Sequence, residues 1–152
     1  MLHVCTWDKY IRAVDMASNQ VTNAFVCSKE TVRCIHLSEE YLFIAGSDPV
    51  IRRFDHFDKE PKEQKIYNGH KGWVNQIISK ANLLFSGGDD STIIVWNIES
   101  GKQLDILHGH ENSITSLIFA FGDLYSGSYD HHIICWDLEL LEDRLEEKAA
   151  MR

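Results

Sequence analysis

Serine, histidine and aspartate occur together twice in this 152-residue sequence, as His70, Ser86 and Asp90 and again as His110, Ser126 and Asp130. These are the residue types of a hydrolytic triad, in which a hydroxyl attacks, an imidazole carries the proton and a carboxylate orients the ring. The second set, however, stands forty residues after the first, residue for residue. An active site does not normally recur in every unit of a repeat. No residue is therefore assigned a catalytic role.

Histidine and cysteine are residue types that ligate metals. His131-His132 precedes Cys135 closely, and His3 lies near Cys5. A zinc site wants four converging ligands, usually with paired short spacings. Neighbouring side chains on an extended strand point to opposite faces, which argues against two adjacent histidines sharing one ion. Turn histidines and buried strand thiols are the simpler reading, and neither a metal nor a cofactor is expected. The four cysteines (Cys5, Cys27, Cys34, Cys135) form no Cys-x-x-Cys pair. Free thiols in a reducing compartment follow, and with them a cytoplasmic or nuclear location.

The composition excludes other classes. The chain is 44% hydrophobic and 25% charged with a net charge of −8, the profile of a folded protein and not a disordered one. That charge opposes nucleic acid and anionic lipid. Arg12 and Arg52-Arg53 do not offset it, because basic residues at such slots are ordinary for solvent-facing strand positions. No run of 18 apolar residues exists to cross a membrane. The N-terminus lacks the basic and apolar regions of a signal peptide.

The elements that must position these residues come from the repeat itself. Residues 84–97 read LFSGGDDSTIIVWN and residues 124–137 read LYSGSYDHHIICWD, identical at seven of fourteen positions without a gap. Residues 42–55 (LFIAGSDPVIRRFD) and 2–15 (LHVCTWDKYIRAVD) continue the register upstream. An aspartate six places before the aromatic slot recurs four times, as Asp8, Asp48, Asp90 and Asp130. Each unit places turn residues between two β-favouring runs, the pattern of antiparallel strands. Further strand candidates are Val32–Leu37, Val74–Ile78 and Ile114–Phe119 upstream, and Gln103–Leu107 after the turn at Glu99–Lys102.

Gly69-His70 and Gly109-His110 open the third and fourth units, and Trp96-Asn97 and Trp136-Asp137 close their third strands. On these residues the chain resembles the WD-repeat family, over residues 2 to 137. The motif is specific in the last two units and degenerate in the first two. The resemblance implies an all-β fold, with four-stranded antiparallel blades arranged around an axis. It also implies a structural relay of hydrogen bonds inside each blade. The third unit would supply His70, Ser86, Asp90 and Trp96, and the fourth His110, Ser126, Asp130 and Trp136. The first two units lack most of these partners. Replacing several together with apolar groups strands no buried polar atom and is nearly neutral.

The family further implies a non-catalytic scaffold that binds other proteins through its top face. The corresponding positions are Lys71, Trp73 and Asp89 in the third unit, Asn112, Ser113 and Tyr129 in the fourth, and Trp7 and Ser47 in the first two. Trp7, Trp73 and Tyr129 carry the most weight, since aromatics are enriched at interface hot spots. Packing against a neighbouring loop is the alternative for each. RNA association and propeller hydrolysis are the alternative functions. The charged connector Asp58–Gln64 reads as a solvated loop.

Counting strands gives fourteen, about three and a half blades, where propellers typically have four to eight. The expectation is a partial propeller over residues 1–137, either a fragment of a larger protein or a chain that associates with copies of itself. Leu2–Thr6 and Ile133–Trp136 would then be open blade edges, prone to self-association. Residues 138–152 (LELLEDRLEEKAAMR) contain no Gly, Pro or β-branched residue and place Leu138, Leu141, Leu145 and Ala149 on one helical face. A C-terminal helix is expected there, either docking elsewhere or covering the open edge.

Overall fold

A computed structural model describes residues 2–5, 9–26, 29–55 and 62–151. Thr6, Trp7, Asp8, Cys27, Ser28 and connector residues 58–61 lie outside the described residues. Among the described residues, fourteen strands and one helix are present, the strands in four antiparallel sheets. Sheet 1 comprises β1 (Leu2–Cys5), β2 (Tyr10–Asp15) and β3 (Gln20–Val26). Sheet 2 comprises β4 (Val32–Leu37), β5 (Tyr41–Gly46), β6 (Val50–Asp55) and β7 (Glu63–Asn68). Sheet 3 comprises β8 (Val74–Lys80), β9 (Leu83–Gly88), β10 (Thr92–Asn97) and β11 (Gln103–His108). Sheet 4 comprises β12 (Ile114–Ala120), β13 (Asp123–Ser128) and β14 (Ile133–Trp136), and α1 (Leu138–Ala150) follows directly. Each sheet is a meander in which strands adjacent in sequence pair.

Two residue classes end the strands. Asp15, Asp90, Asn97 and Asp130 sit in the turns and accept hydrogen bonds from backbone amides two or three residues on, the usual Asx device for reversing a chain. Gly101 supplies a left-handed residue (φ +72°) where β10 turns into β11, a conformation that costs glycine nothing.

The core lies between sheets. Side chains alternate along a strand, so each sheet has a forward face toward the next sheet in sequence and a rear face toward the preceding one. Ile11 of sheet 1 packs forward with Val32, Leu42, Ile44 and Phe54 of sheet 2. Cys34, Phe43, Ile51 and Tyr67 of sheet 2 pack forward on Val74, Ile77, Leu84, Ile94 and Trp96 of sheet 3. Phe85, Ile93, Val95 and Leu107 of sheet 3 pack forward on Ile114, Leu117 and Leu124 of sheet 4. Gly87 allows that last approach: a Cβ there would lie 2.5 Å from Ile114 Cγ2. Each fully buried Ile, Leu or Phe contributes roughly 1.5–3 kcal/mol relative to exposure.

The helix is anchored on sheet 3. Asp137 caps its N-terminus through a 2.9 Å bond from the Leu140 amide. Leu138 and Leu141 are buried in the cluster around Phe85 and Leu107, with Leu145 partly buried beside them. Arg144 and Lys148 both reach Asp105, in the middle of the outermost strand β11. Through Leu138, Leu141, Arg144 and Lys148, α1 lies against β11 of sheet 3. Leu145 marks the limit of the apolar contact, and Ala149 is exposed.

Candidate functional site

Two copies of one polar chain run through sheets 3 and 4, on their rear faces. In sheet 3 the Trp96 indole N–H donates to Ser86 Oγ at 2.8 Å, and Ser86 Oγ lies 2.7 Å from His70 Nε2. His70 Nδ1 lies 2.8 Å from Asp90 Oδ2. Since Ser86 accepts from the indole, its own proton goes to His70 Nε2, which leaves the proton of Nδ1 for Asp90. Asp90 also accepts the Lys71 amide at 2.8 Å and the Thr92 hydroxyl at 2.8 Å. Sheet 4 repeats the arrangement. Trp136 donates to Ser126 at 2.8 Å, Ser126 meets His110 at 2.7 Å, and His110 meets Asp130 at 2.7 Å.

The register explains the reach. Ser86 pairs with Ile94, and Trp96 lies two residues farther along the same face, so the indole crosses diagonally back to the hydroxyl. The histidine arrives from the loop before β8, drawn in by the aspartate of the β9–β10 turn. Burial alone would raise the Asp90 carboxyl. Hydrogen bonds from His70, the Lys71 amide and Thr92 outweigh it and hold the group well below the carboxylate range. In Asp130 the same burial effect is outweighed by the Glu111 and His132 amides and by His110.

The arrangement has the order of a triad but not its access. Ser86 and Ser126 have essentially no exposed surface, and each already accepts an indole N–H. Neither presents its oxygen to a substrate.

Sheet 2 departs from this chemistry. Asp48 stands at the turn position of Asp90 and pairs with Arg52 Nη2 at 2.6 Å, while Arg52 Nε also faces Glu63 at 3.3 Å. The loss of the relay therefore leaves Asp48 with an ion-pair role that turn chemistry alone did not suggest, and Arg52 is engaged on the protein, not open to solvent. Arg53, its neighbour, is buried. Its guanidinium stacks 4.0 Å over the Tyr41 ring and donates to the Ile98 carbonyl at 3.0 Å, beside the Tyr67 hydroxyl on the same carbonyl at 2.8 Å. Arg53 thus joins sheets 2 and 3, while Arg52 stays within sheet 2.

The turn histidines go separate ways. His131 takes a left-handed backbone (φ 69°) in an exposed turn, while His132 leans on Asp130 at 3.5 Å. Cys135 Sγ points to Asp123 Oδ2 at 3.7 Å.

The loop before each inner strand and the turn after each second strand meet at one end of the sheets. The Asp89 amide bonds the Trp73 carbonyl at 2.8 Å, and the Tyr129 amide bonds the Ser113 carbonyl at 3.1 Å. At this end Trp73 is 46% and Tyr129 68% exposed, with Lys71, Asp89 and Asn112 exposed around them. Trp7, the first unit's residue at this position, lies outside the described residues. Two contributors escaped the sequence reading. Arg33 of sheet 2 stacks 4.7 Å over the Trp73 ring, linking adjacent sheets at this surface. Asn75 bridges Asp89 Oδ1 at 2.7 Å and the Ile114 carbonyl at 3.0 Å, linking sheets 3 and 4. Both sit at or near the start of an inner strand, and that position was their only signal.

Four sequential meander sheets packed front to rear define a partial β-propeller. The family model described as WD domain, G-beta repeat, matches residues 61–97 and 101–137. The chain belongs to the WD-repeat family, whose members serve generally as scaffolds for protein interaction. No helix among the described residues is long and apolar enough to cross a membrane.

Proposed function

We propose that this chain is a non-catalytic interaction platform that captures a protein partner at the end of the sheets carrying Trp73 and Tyr129. The observation that carries the reading is a contrast in how polar and aromatic groups are used. The Ser–His–Asp sets spend their hydrogen bonds on one another inside the sheets, whereas two aromatic rings stand exposed at one surface. Large aromatics that keep little rotamer freedom are the residues that anchor interfaces. Arg33 holds the Trp73 ring from one side, which lowers the cost of ordering it on binding. Lys71, Asp89 and Asn112 around the rings suit a polar rim, and Trp7 is the first unit's residue at the repeat position of Asp89 and Tyr129. A reducing compartment, cytoplasm or nucleus, suits the free thiols of Cys5, Cys34 and Cys135.

The test is affinity capture from cell extract with Trp73→Ala and Tyr129→Ala beside the wild-type chain. Partners recovered by wild type should be lost from both variants while their melting curves stay unchanged. Full recovery by two folded variants would move the binding surface elsewhere.

A further inference from the structure

We infer that the groove between sheets 2 and 3, at the end opposite Trp73 and Tyr129, binds an arginine-bearing segment of a partner protein. The groove has a volume of about 820 Å³ and lies between the β4–β5 turn, the β8–β9 turn and the start of the β10–β11 turn. Both of its walls belong to four-stranded sheets. Its opening has a cause in the repeat. Ser79 pairs with Leu84 as Phe119 pairs with Leu124, so the two fill the same slot on the rear faces of sheets 3 and 4. Between sheets 3 and 4 the Phe119 ring stands edge-on to Phe85, with centroids 5.4 Å apart. Between sheets 2 and 3, Phe43 takes the place of Phe85, but Ser79 offers only a hydroxymethyl group. Its oxygen lies 2.7 Å from His36 Nε2, and the imidazole stacks on Phe43 at 6.2 Å. The space of an aromatic ring is thus left open, and the groups around it lack the contacts that a ring would supply.

The chemistry of the lining selects the occupant. Leu37, Tyr41 and Ile98 give the groove an apolar and aromatic lining, and Glu39, Glu40 and Glu99 stand exposed around it. A guanidinium suits both parts. It is planar, stacks on aromatic rings, is weakly hydrated and meets carboxylates with a fork of donors, while its stem lies on apolar surface. The chain already makes this pairing with a residue of its own. Arg53 stacks 4.0 Å over Tyr41 and lies 3.8 Å from Glu99. Arg53 and Lys65, whose Nζ donates to the Glu99 carbonyl, offset part of the local negative charge, yet neither lines the groove. Lys80, at the end of β8, is held by Glu142 at 3.9 Å. Burial lowers the His36 imidazole, which is therefore neutral at pH 7 and adds no opposing charge. Glu39 and Glu40, on the turn, remain to draw a cation. A lysine would bring the same charge but no planar face to stack.

The experiment is fluorescence anisotropy on the full 152-residue chain, with a fluorescein-labelled peptide of alternating arginine and glycine as the probe. A second peptide carries lysine at each arginine position. Wild type should bind the arginine peptide about tenfold more tightly than the lysine peptide, because only arginine stacks. The double variant Glu39→Lys, Glu40→Lys, at exposed positions, should weaken arginine binding by about tenfold or more. Glu146→Lys, on the exposed side of α1, makes a like change of charge away from the groove and should leave it unaltered. Ser79→Phe restores the ring that sheet 4 has at this slot and should abolish binding while circular dichroism stays that of wild type. Trp73→Ala should bind the peptide as wild type does, which separates this groove from the surface proposed above. Wild type that does not bind the arginine peptide overturns the inference. So does equal affinity for the two peptides, or an equal loss in the Glu146 variant and the turn variant, since either would reduce the binding to overall charge. Full binding by a folded Ser79→Phe variant overturns it too, and if that variant does not fold, the turn variant still decides.

Discussion

Trp96 and Ser86 are joined by a 2.8 Å hydrogen bond between strands whose pairing sets them diagonally, not opposite. The indole thereby orients the hydroxyl proton toward His70, and the polar chain runs in one direction from tryptophan to aspartate. Trp136 and Ser126 repeat the relationship at the same 2.8 Å. A buried chain with every member satisfied rigidifies a sheet, and removing one member exposes the cost of the rest.

Asp90→Ala should therefore destabilise the protein by about 1–3 kcal/mol, since the His70 Nδ1–H and the Lys71 amide lose their acceptor together. Asp48→Ala should cost no more than about 1 kcal/mol, because it removes one partly exposed ion pair and Arg52 keeps Glu63. Thermal melts of the two variants compare them directly. Equal shifts would show that the relay carries no extra stability.

Acid should expose the same carboxylates. Asp90 and Asp130 are held below the ordinary aspartate value, which is about 3.9 in an unfolded chain. A folded pKa below the unfolded one gives stability that is complete above the unfolded value and is lost as pH falls through the folded one. Urea midpoints should change little on this account from pH 7 to about 5 and fall below about pH 4. An Asp90→Asn, Asp130→Asn double variant should show a shallower fall. An identical acid profile in wild type and double variant would place the sensitive groups elsewhere.

Helix α1 should behave as part of the core, not as a solvated tail. Leu141→Ala removes a buried side chain under Phe85 and Leu107 and should cost about 2–5 kcal/mol. Leu140→Ala, one residue away on the exposed side, should stay within about 0.5 kcal/mol. Equal effects in denaturant titrations would mean that the helix does not dock on β11.

Thiol chemistry should separate the cysteines. Burial pushes the Cys34 thiol up to about 12, and its sulfur faces the Val74 carbonyl between sheets 2 and 3. Cys135 is exposed on sheet 4. Alkylation of the native chain at pH 8, followed by peptide mass spectrometry, should label Cys135 readily and Cys34 only after unfolding. Fast native labelling of Cys34 would contradict the packing between those sheets.

Arg53 shows where sequence reading stops. Beside Arg52 it looked like half of a basic pair, and the two have the same charge and the same strand. Alternation turns them to opposite faces, and Arg53 is buried because sheet 3 arrives on its face with the Ile98 carbonyl as acceptor. The relay residues were legible because their chemistry recurs at a constant spacing. Asn75 and Arg33 were not, because each acts on an element more than a dozen residues away and has no partner signal of its own.

What the sequence determined by itself is local and periodic: strands from alternation and β-branched runs, turns from aspartate and glycine, and a helix after Asp137 from an unbroken run of helix formers. What the tertiary structure decided is which of two equivalent faces is interior. Residues 92–96 (TIIVW) and 132–136 (HIICW) are near-copies with the same pairing, yet Ile93 is buried and Ile133 is not. Strand formation depends on a residue's own dihedral preferences and its immediate ladder partner. Burial depends on whether another sheet lies about 10 Å away, and no local pattern carries that information.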